Sequence, residues 1–251
     1  YQLPLFHSLE PKELIDMTDL VGQTIRIEFQ NEINCVVTGK KIKKSFGDGM
    51  SYDAFMSSPL ATPSIIRPEL SRIHEGVALR DEEWERKHHL QPHVVYLSNT
   101  SGIKVGVTRT TQVPTRWIDQ GAVGAILLAE VPYRQLAGLI EVALKPYVAD
   151  KTNWRGMLKN EYSSENLLDK KEALIEMLPE AYYDFISDND EITAINYPVI
   201  EYPKKVVSMK LDKIPCVEKR LNGIKGQYLI FDDESVLNLR SHSGYKVTIE
   251  V

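Results

Sequence analysis

Cysteine is scarce in this chain, which has only Cys35 and Cys216 among its 251 residues. Two cysteines provide no disulfide framework, and such scarcity is typical of proteins from a reducing compartment, so we predict a cytoplasmic protein. The sequence also lacks a run of about 18 apolar residues and a signal-peptide pattern, so it predicts neither a membrane-spanning helix nor a membrane partner. The oligomeric state is left open by these patterns.

The chain as a whole has no basic excess, since its formal net charge is −5 at pH 7. Residues 93–160 differ, because they contain eight basic residues against four acidic ones. Such a segment can hold a phosphate backbone, although its charge density is far below that of dedicated nucleic-acid binders. Charge that only improves solubility is the alternative. The basic residues are Lys104, Arg109, Arg116, Arg134, Lys145, Lys151, Arg155 and Lys159.

A β-hairpin is the clearest local prediction. Apolar residues alternate over 94–98 and over 103–108, which is typical of half-buried strands. Residues 99–102 lie between them and supply the small polar residues and the glycine of a short loop. Pro114 and Gly121 then mark the start and the end of a short helix that carries Arg116 and Trp117.

A strand and a longer helix follow the hairpin. Residues 125–131 form a continuous apolar run of strand length, and Pro132 opens the helix. Glu141 lies roughly 120° from the centre of the apolar stripe of this helix, so we expect its carboxylate at the flank, where it can face a cleft. The stripe consists of Leu136, Leu139, Ile140, Ala143, Leu144 and Tyr147.

This order of elements resembles the GIY-YIG nuclease domain. In that family two signature triplets lie on the hairpin strands, where this chain has residues 94–96 and 104–106. Tyr96 and Gly106 match the first tyrosine and the second glycine, whereas Lys104 stands in the place of the second tyrosine. Divergent branches of that superfamily also carry a Lys-x-Gly-x-Thr strand. The resemblance implies an α+β fold with a central three-stranded sheet flanked by helices.

The resemblance also implies a catalytic site for phosphodiester cleavage in DNA or RNA. Glu141 would hold one divalent cation, Mg²⁺ or Mn²⁺, which needs few protein ligands. Tyr96 would help to deprotonate the attacking water, and Arg116 would stabilise charge on the phosphoryl oxygens. Lys104 would contact phosphate but is a poorer base while it is protonated.

Each of these residues also has a purely structural interpretation. Tyr96 fits a core aromatic residue, and Glu141 with Lys145 four residues later fits an ordinary pair on a helix surface. Arg116 fits a solvated side chain. The alternative function is therefore a catalytically inactive protein that binds nucleic acid or another protein. The candidate residues for nucleic-acid binding are Arg109, Arg116, Lys151 and Arg155.

Residues 35–54 have the spacing of a zinc ribbon that has lost most of its ligands. Cys35 is the one cysteine there, and Thr38, Ser51 and Ala54 stand at the other ligand positions, so no zinc is expected. Together with the blocks 114–122 and 150–155, this pattern resembles a bacterial family known only as a domain of unknown function. Some members of that family have cysteines at those positions. The lysines at 40, 41, 43 and 44 fit either a phosphate contact or an exposed turn.

Both ends of the chain contain further predicted strands. Alternating patterns cover residues 21–29, 205–211, 226–231 and 245–251, and turns are predicted at 221–223 and 243–244. These strands indicate a small barrel or a curled sheet, which is either an oligonucleotide-binding barrel or a structural sheet. Residues 163–188 predict an acidic helix that ends at Pro179.

We therefore predict an α+β protein of two or three modules, for which 43% hydrophobic residues suffice to form a core. Residues 1–34 are predicted as N-terminal strands that join the β module, and 35–92 as the degenerate zinc-ribbon-like segment with a connector. Residues 93–160 form the GIY-YIG-like domain. Residues 161–251 form a helix and a C-terminal β module.

Overall fold

The computed structural model describes residues 2–7 and 10–251, with side chains from Leu14 onward. Its contacts divide the chain into two units. The terminal unit combines Tyr1–Ser58 with Tyr197–Val251, and the central unit is Pro59–Asn196. Within the predicted N-terminal segment 1–34, residues 1, 8 and 9 lie outside the described residues. The α+β class predicted from the sequence is confirmed.

Strands predominate at both ends of the described chain, and the α-helices lie between residues 52 and 175. The strands are β1 (Gln2–His7), β2 (Glu10–Asp16), β3 (Thr24–Asn34), β4 (Lys41–Ile42), β5 (His93–Asn99), β6 (Ile103–Arg109), β7 (Gly124–Val131), β8 (Thr193–Ala194), β9 (Val207–Met209), β10 (Cys216–Lys225), β11 (Tyr228–Phe231), β12 (Ser235–Asn238) and β13 (Tyr245–Glu250). The α-helices are α1 (Tyr52–Ser57), α2 (Glu82–His89), α3 (Thr115–Asp119), α4 (Arg134–Leu144), α5 (Trp154–Leu158) and α6 (Leu167–Ile175). In the described part of the chain, every helix is too short or too polar to cross a bilayer.

A curled mixed sheet forms the framework of the terminal unit. Its strand order is β13-β3-β10-β11-β12-β9, with β4 paired to β3. Neighbouring strands are antiparallel except β9 and β12, which are parallel. Strand β3 alternates as its sequence predicts, which directs Ile25, Ile27 and Phe29 into the core. Strands β1 and β2 form a separate antiparallel pair.

The turn predicted at residues 221–223 is wrong, because these residues lie inside β10. The pairing with β11 shifts register between Leu221 and Gly223, so Asn222 and Gly223 form a β-bulge. The chain reverses direction only after Lys225. Gly223 also permits a close approach, since a Cβ atom there would lie 2.7 Å from the Val199 side chain. The turn predicted at 243–244 is confirmed by Gly244, which has φ +82°.

The central unit contains an antiparallel sheet in the order β6-β5-β7-β8. Its hairpin β5–β6 and strand β7 match the predicted strands. One face of the sheet, which includes Val95 and Leu97, packs against α4 and α6. The other face carries Val94 and Tyr96 and packs against Trp117 of α3. The site residues predicted on the hairpin and on α3 therefore meet on this second face.

The buried side of α4 differs from the predicted apolar stripe. Leu139 and Tyr147 are 38% and 51% exposed, whereas Glu141 is buried. The reason is a second contact, because the 3-10 turn Pro68–Leu70 covers the helix at Gly138. A Cβ atom on Gly138 would lie 2.2 Å from the backbone of that turn. The helix is thus covered on two sides, and the prediction that Glu141 lies at an open flank is corrected.

Candidate functional site

Hairpin pairing places Tyr96 opposite Gly106. The Tyr96 side chain is fully buried, and its hydroxyl donates to Gln120 Oε1 at 3.0 Å. Burial raises the pKa of this phenol, although the charge of Arg116 and the hydrogen bond to Gln120 lower it in part. The hydroxyl is therefore protonated at neutral pH, and it is held by protein groups in this arrangement.

Lys104 lies two residues before Gly106 and is also buried. A parallel bridge joins it to Ala149, so the segment after α4 runs beside this edge of the hairpin. Burial, reinforced by the charge of Arg116, lowers the pKa of Lys104 to about 8, against the opposing effect of Asp150 and Glu141. Lys104 thus carries a positive charge at pH 7 where little water screens it.

Helix α3 positions Arg116, as the sequence predicts. The neighbouring Trp117 anchors this helix, since it is 3% exposed and its ring centroid lies 5.8 Å from that of Tyr96. The half-buried Arg116 forms a hydrogen bond with Tyr96, and its charge lowers the pKa of both Tyr96 and Lys104. The arginine and the two hairpin residues therefore belong to one electrostatic cluster.

Glu141 lies close to Lys145, which also lies close to the carboxylate of Asp150. Lys145 Nζ lies 3.8 Å from Glu141 Oε2 and 3.6 Å from Asp150 Oδ2. Burial raises the pKa of Glu141, Lys145 lowers it, and Asp150 and Glu69 raise it again. The ammonium group shows that this position, between two carboxylates, accommodates a cation.

Arg134 belongs to the same cluster and was not selected from the sequence. Its guanidinium donates to the carbonyl oxygens of Ser64 at 2.8 Å and Ile65 at 2.9 Å. Burial, reinforced by the charges of Arg109 and Arg116, lowers its pKa to about 10, and the charge of Glu141 opposes this change. In the sequence, Arg134 is distinguished only as one of the basic residues of 93–160. Its hydrogen-bond partners could not be predicted, because they lie about 70 residues earlier in the chain.

Arg109 is held by a histidine of helix α2. Its Nη1 donates to His88 Nδ1 at 2.9 Å, and the His88 ring packs 4.3 Å from that of Trp84. Burial lowers the pKa of His88, and the charges of Arg109 and Lys87 lower it further. Neutral His88 can accept this hydrogen bond, so it orients Arg109 at neutral pH.

Lys151 and Arg155 lie on the segment that leads into α5. Arg155 is exposed and packs over the Trp154 ring, with 4.1 Å from its Cζ to the ring centroid. The segment is tied to the hairpin loop, since the Asn153 backbone donates to Ser101 Oγ at 2.9 Å. Among the described residues, no ion pair links Lys151 or Arg155 to the cluster around Arg116.

A cluster of basic side chains around one buried carboxylate is therefore the main chemical feature of the central unit. Of the four residues predicted as catalytic, Tyr96, Lys104 and Arg116 lie together on one face of the sheet. Glu141 lies on α4 and is linked to Tyr96 and Lys104 only through the effect of its charge on their pKa values. No group of three Asp, Glu, His or Cys side chains in the described ranges is arranged to hold a metal ion.

In the terminal unit, two of the positions predicted as remnants of a zinc ribbon, Thr38 and Ser51, contact Cys35, and Ala54 contacts Ser51. The buried Cys35 Sγ accepts from the Ser51 backbone N–H at 3.2 Å and from the Thr38 hydroxyl. Ser51 Oγ in turn caps α1 by accepting from the Ala54 N–H at 3.2 Å. Burial opposes ionisation of the thiol, but the Thr38 hydroxyl and several backbone N–H groups outweigh it and lower its pKa to about 6.

Comparison with known proteins gives one family. No curated protein and no solved structure matches the chain. The family model described as "Protein of unknown function (DUF2797)" matches residues 22–247, which include most of the terminal unit and the whole central unit. The resemblance to a family of unknown function is therefore confirmed, and the chain belongs to the DUF2797 family.

Proposed function

We propose that the central unit binds nucleic acid through its phosphate backbone, at the cluster formed by Lys104, Arg116 and Arg134. The observation that carries the proposal is the burial of Lys104 and Arg134 near the positive charge of Arg116, which acts on both groups. Burial and neighbouring positive charges lower the pKa of Lys104 to about 8 and that of Arg134 to about 10. A bound phosphate would offset both the burial and the repulsion of these positive charges, so the cluster favours an anionic ligand.

The arrangement around the cluster supports a polyanion rather than one small anion. Arg109 adds a fourth positive charge that lowers the pKa of Arg134. Arg155, on its Trp154 platform, provides an exposed cation beside an aromatic face. Aromatic and guanidinium surfaces of this kind stack on unpaired bases, which makes single-stranded DNA or RNA the preferred substrate in this proposal.

We further propose that residues 93–160 are a divergent GIY-YIG-like module and that residues 35–54 derive from a zinc ribbon. The order of hairpin, α3, β7 and α4 supports the first proposal. The second rests on the contacts of Thr38 and Ser51 with Cys35 and of Ala54 with Ser51. On this proposal zinc plays no part in the protein, because one thiol cannot form a tetrahedral site.

Metal-dependent cleavage of the phosphodiester is the second candidate function. The observation that favours it is the position of Glu141, whose charge reaches both Tyr96 and Lys104. A bound Mg²⁺ or Mn²⁺ would supply Lewis-acid polarisation of a phosphoryl oxygen, and Glu141 with Asp150 would hold it. Arg116 would stabilise negative charge on the phosphate, and Tyr96 would keep Arg116 in place through its hydroxyl.

A binding and cleavage assay tests both functions. Labelled single-stranded, duplex and branched DNA, and RNA, are incubated with the protein in Mg²⁺, in Mn²⁺ or in EDTA. Arg116→Gln should weaken binding in EDTA by at least about tenfold, as expected when one charge-assisted phosphate contact is lost. Arg72→Gln is the matched control, because Arg72 is exposed and paired with Glu75, and it should change affinity by less than about twofold.

Glu141→Gln separates the two candidates. If the protein cleaves, this variant should keep its affinity in EDTA and lose the metal-dependent products. Binding without products in any metal would leave the phosphate-binding function alone. The proposal is overturned if no nucleic acid binds at low salt, or if Arg116→Gln and Arg72→Gln weaken binding equally.

A further inference from the structure

A polar cavity of about 350 Å³ lies in the terminal unit, independent of the proposed nucleic-acid site. Lys43 and Lys44, next to β4, line one part of it, and Lys210 lines another. Its volume is at the lower end of the range for small-molecule sites. The cavity is therefore large enough for a small organic ion.

The charges around this cavity are only partly balanced. Within the described part of the chain, none of its three lysines forms a salt bridge, although Lys44 Nζ lies 5.2 Å from the centre of the Phe46 ring. The one carboxylate in the lining, Asp212, accepts the Tyr245 hydroxyl at 3.0 and 2.9 Å on its two oxygens. Three ammonium groups and one carboxylate give the lining a formal charge of +2.

The rest of the lining is held in place before any ligand arrives. His242 uses both ring nitrogens within the protein, because Nδ1 donates to the Asn238 carbonyl at 2.7 Å and Nε2 accepts from the Leu211 N–H at 3.1 Å. The Tyr245 ring packs 4.8 Å from Phe29 and 5.0 Å from His242. The wall of the cavity is thus a fixed part of the core, and the flexible lysines surround it.

We propose that this cavity binds a dianionic phosphate group, as free phosphate or as the phosphomonoester of a small molecule. The formal charge of +2 matches a phosphomonoester, which carries about −1.5 to −2 at pH 7, better than a phosphodiester with its single charge. Lysine ammonium groups bind such an ion as mobile point charges, and the hydroxyl of Ser45 in the lining adds a donor, whereas the Ser241 hydroxyl donates to the Asn238 carbonyl at 2.9 Å.

Isothermal titration calorimetry at constant ionic strength tests this site with three probes: inorganic phosphate, adenosine 5′-monophosphate and dimethyl phosphate. The first two should bind saturably, and dimethyl phosphate, a monoanionic diester, should bind at least about tenfold more weakly. Tighter binding of the nucleotide than of inorganic phosphate identifies an organic phosphomonoester as the ligand. Equal affinities identify free phosphate.

A pair of double variants with the same charge assigns the binding to the cavity. Lys43→Gln with Lys210→Gln removes two lining charges and should weaken binding of inorganic phosphate by at least about tenfold. Lys40→Gln with Lys213→Gln removes two exposed charges of the same unit outside the lining, and it should change affinity by less than about twofold. The proposal is overturned if no probe binds saturably, if both variants weaken binding equally, or if dimethyl phosphate binds as tightly as phosphate.

Discussion

The Tyr96 ring lies over Gly106 on the neighbouring strand, so closely that a Cβ atom at Gly106 would be 2.6 Å from the tyrosine hydroxyl. These are the two residues on which the proposed resemblance to the GIY-YIG triplets rests. Their pairing gives a physical reason for both, because the tyrosine can point towards Gln120 and Arg116 only where its neighbour has no side chain.

Gly106→Ala should therefore destabilise the protein by about 1–3 kcal/mol, because the added methyl group overpacks a buried site. The hydroxyl of Tyr96 would also move away from Arg116. Gly102→Ala is the control, since no atom lies within 4 Å of a Cβ atom placed there. Urea denaturation of the two variants measures the difference, and equal stabilities would contradict this packing.

Glu141→Gln should raise the free energy of unfolding at pH 7. Burial raises the pKa of Glu141 in the folded protein, so the stability of the wild type relative to this variant falls as pH rises through that pKa. The slope is at most about 1.4 kcal/mol per pH unit, and the advantage of the variant should vanish below about pH 4, where the glutamate is protonated in both states.

Thermal or urea denaturation from pH 4 to 8 measures this effect. Glu172→Gln is the matched control, because Glu172 is exposed on α6 and the same substitution there should leave the stability nearly unchanged. A wild type that is more stable than Glu141→Gln at every pH would show that Glu141 is satisfied by Lys145 and stores no free energy.

Zinc binding should return when thiols are restored around Cys35. The triple variant Thr38→Cys, Ser51→Cys and Ala54→Cys should bind one Zn²⁺ per chain, because the backbone already holds these positions around the Cys35 thiol. Substitution with Co²⁺ and its visible absorption spectrum reports tetrahedral thiolate coordination. Adding Cys35→Ser should change that spectrum, and an absence of stoichiometric metal binding by the triple variant would contradict the zinc-ribbon origin.

The sequence predicts the local elements of the site because they depend on neighbouring residues. Alternation over 94–108 gives β5 and β6, and Pro114 with Gly121 gives the helix that carries Arg116. Local residue preferences give a wrong prediction at Asn222 and Gly223, which are typical of a turn but form a bulge in β10. Gly223 packs closely against Val199, and a contact between residues so far apart in the sequence is not part of any local pattern.

The contacts between distant segments could not be predicted in this way. Glu141 is buried because the turn Pro68–Leu70, about 70 residues earlier, covers α4. Arg134 is held in position by the carbonyl oxygens of Ser64 and Ile65. Every residue has a backbone carbonyl, so the sequence does not indicate which ones will accept such hydrogen bonds. Periodicity describes a helix alone, whereas these positions depend on what packs against it.

The salt dependence of nucleic-acid affinity tests the central claim most directly. Fluorescence anisotropy of a labelled single-stranded oligonucleotide, measured from about 50 to 200 mM salt, gives the number of phosphate contacts from the slope of log affinity against log salt. The proposed cluster predicts a negative slope whose magnitude falls by about 0.7 in Arg116→Gln, because one phosphate contact is lost. An affinity that does not depend on salt, or a slope unchanged in that variant, would contradict phosphate binding at Arg116.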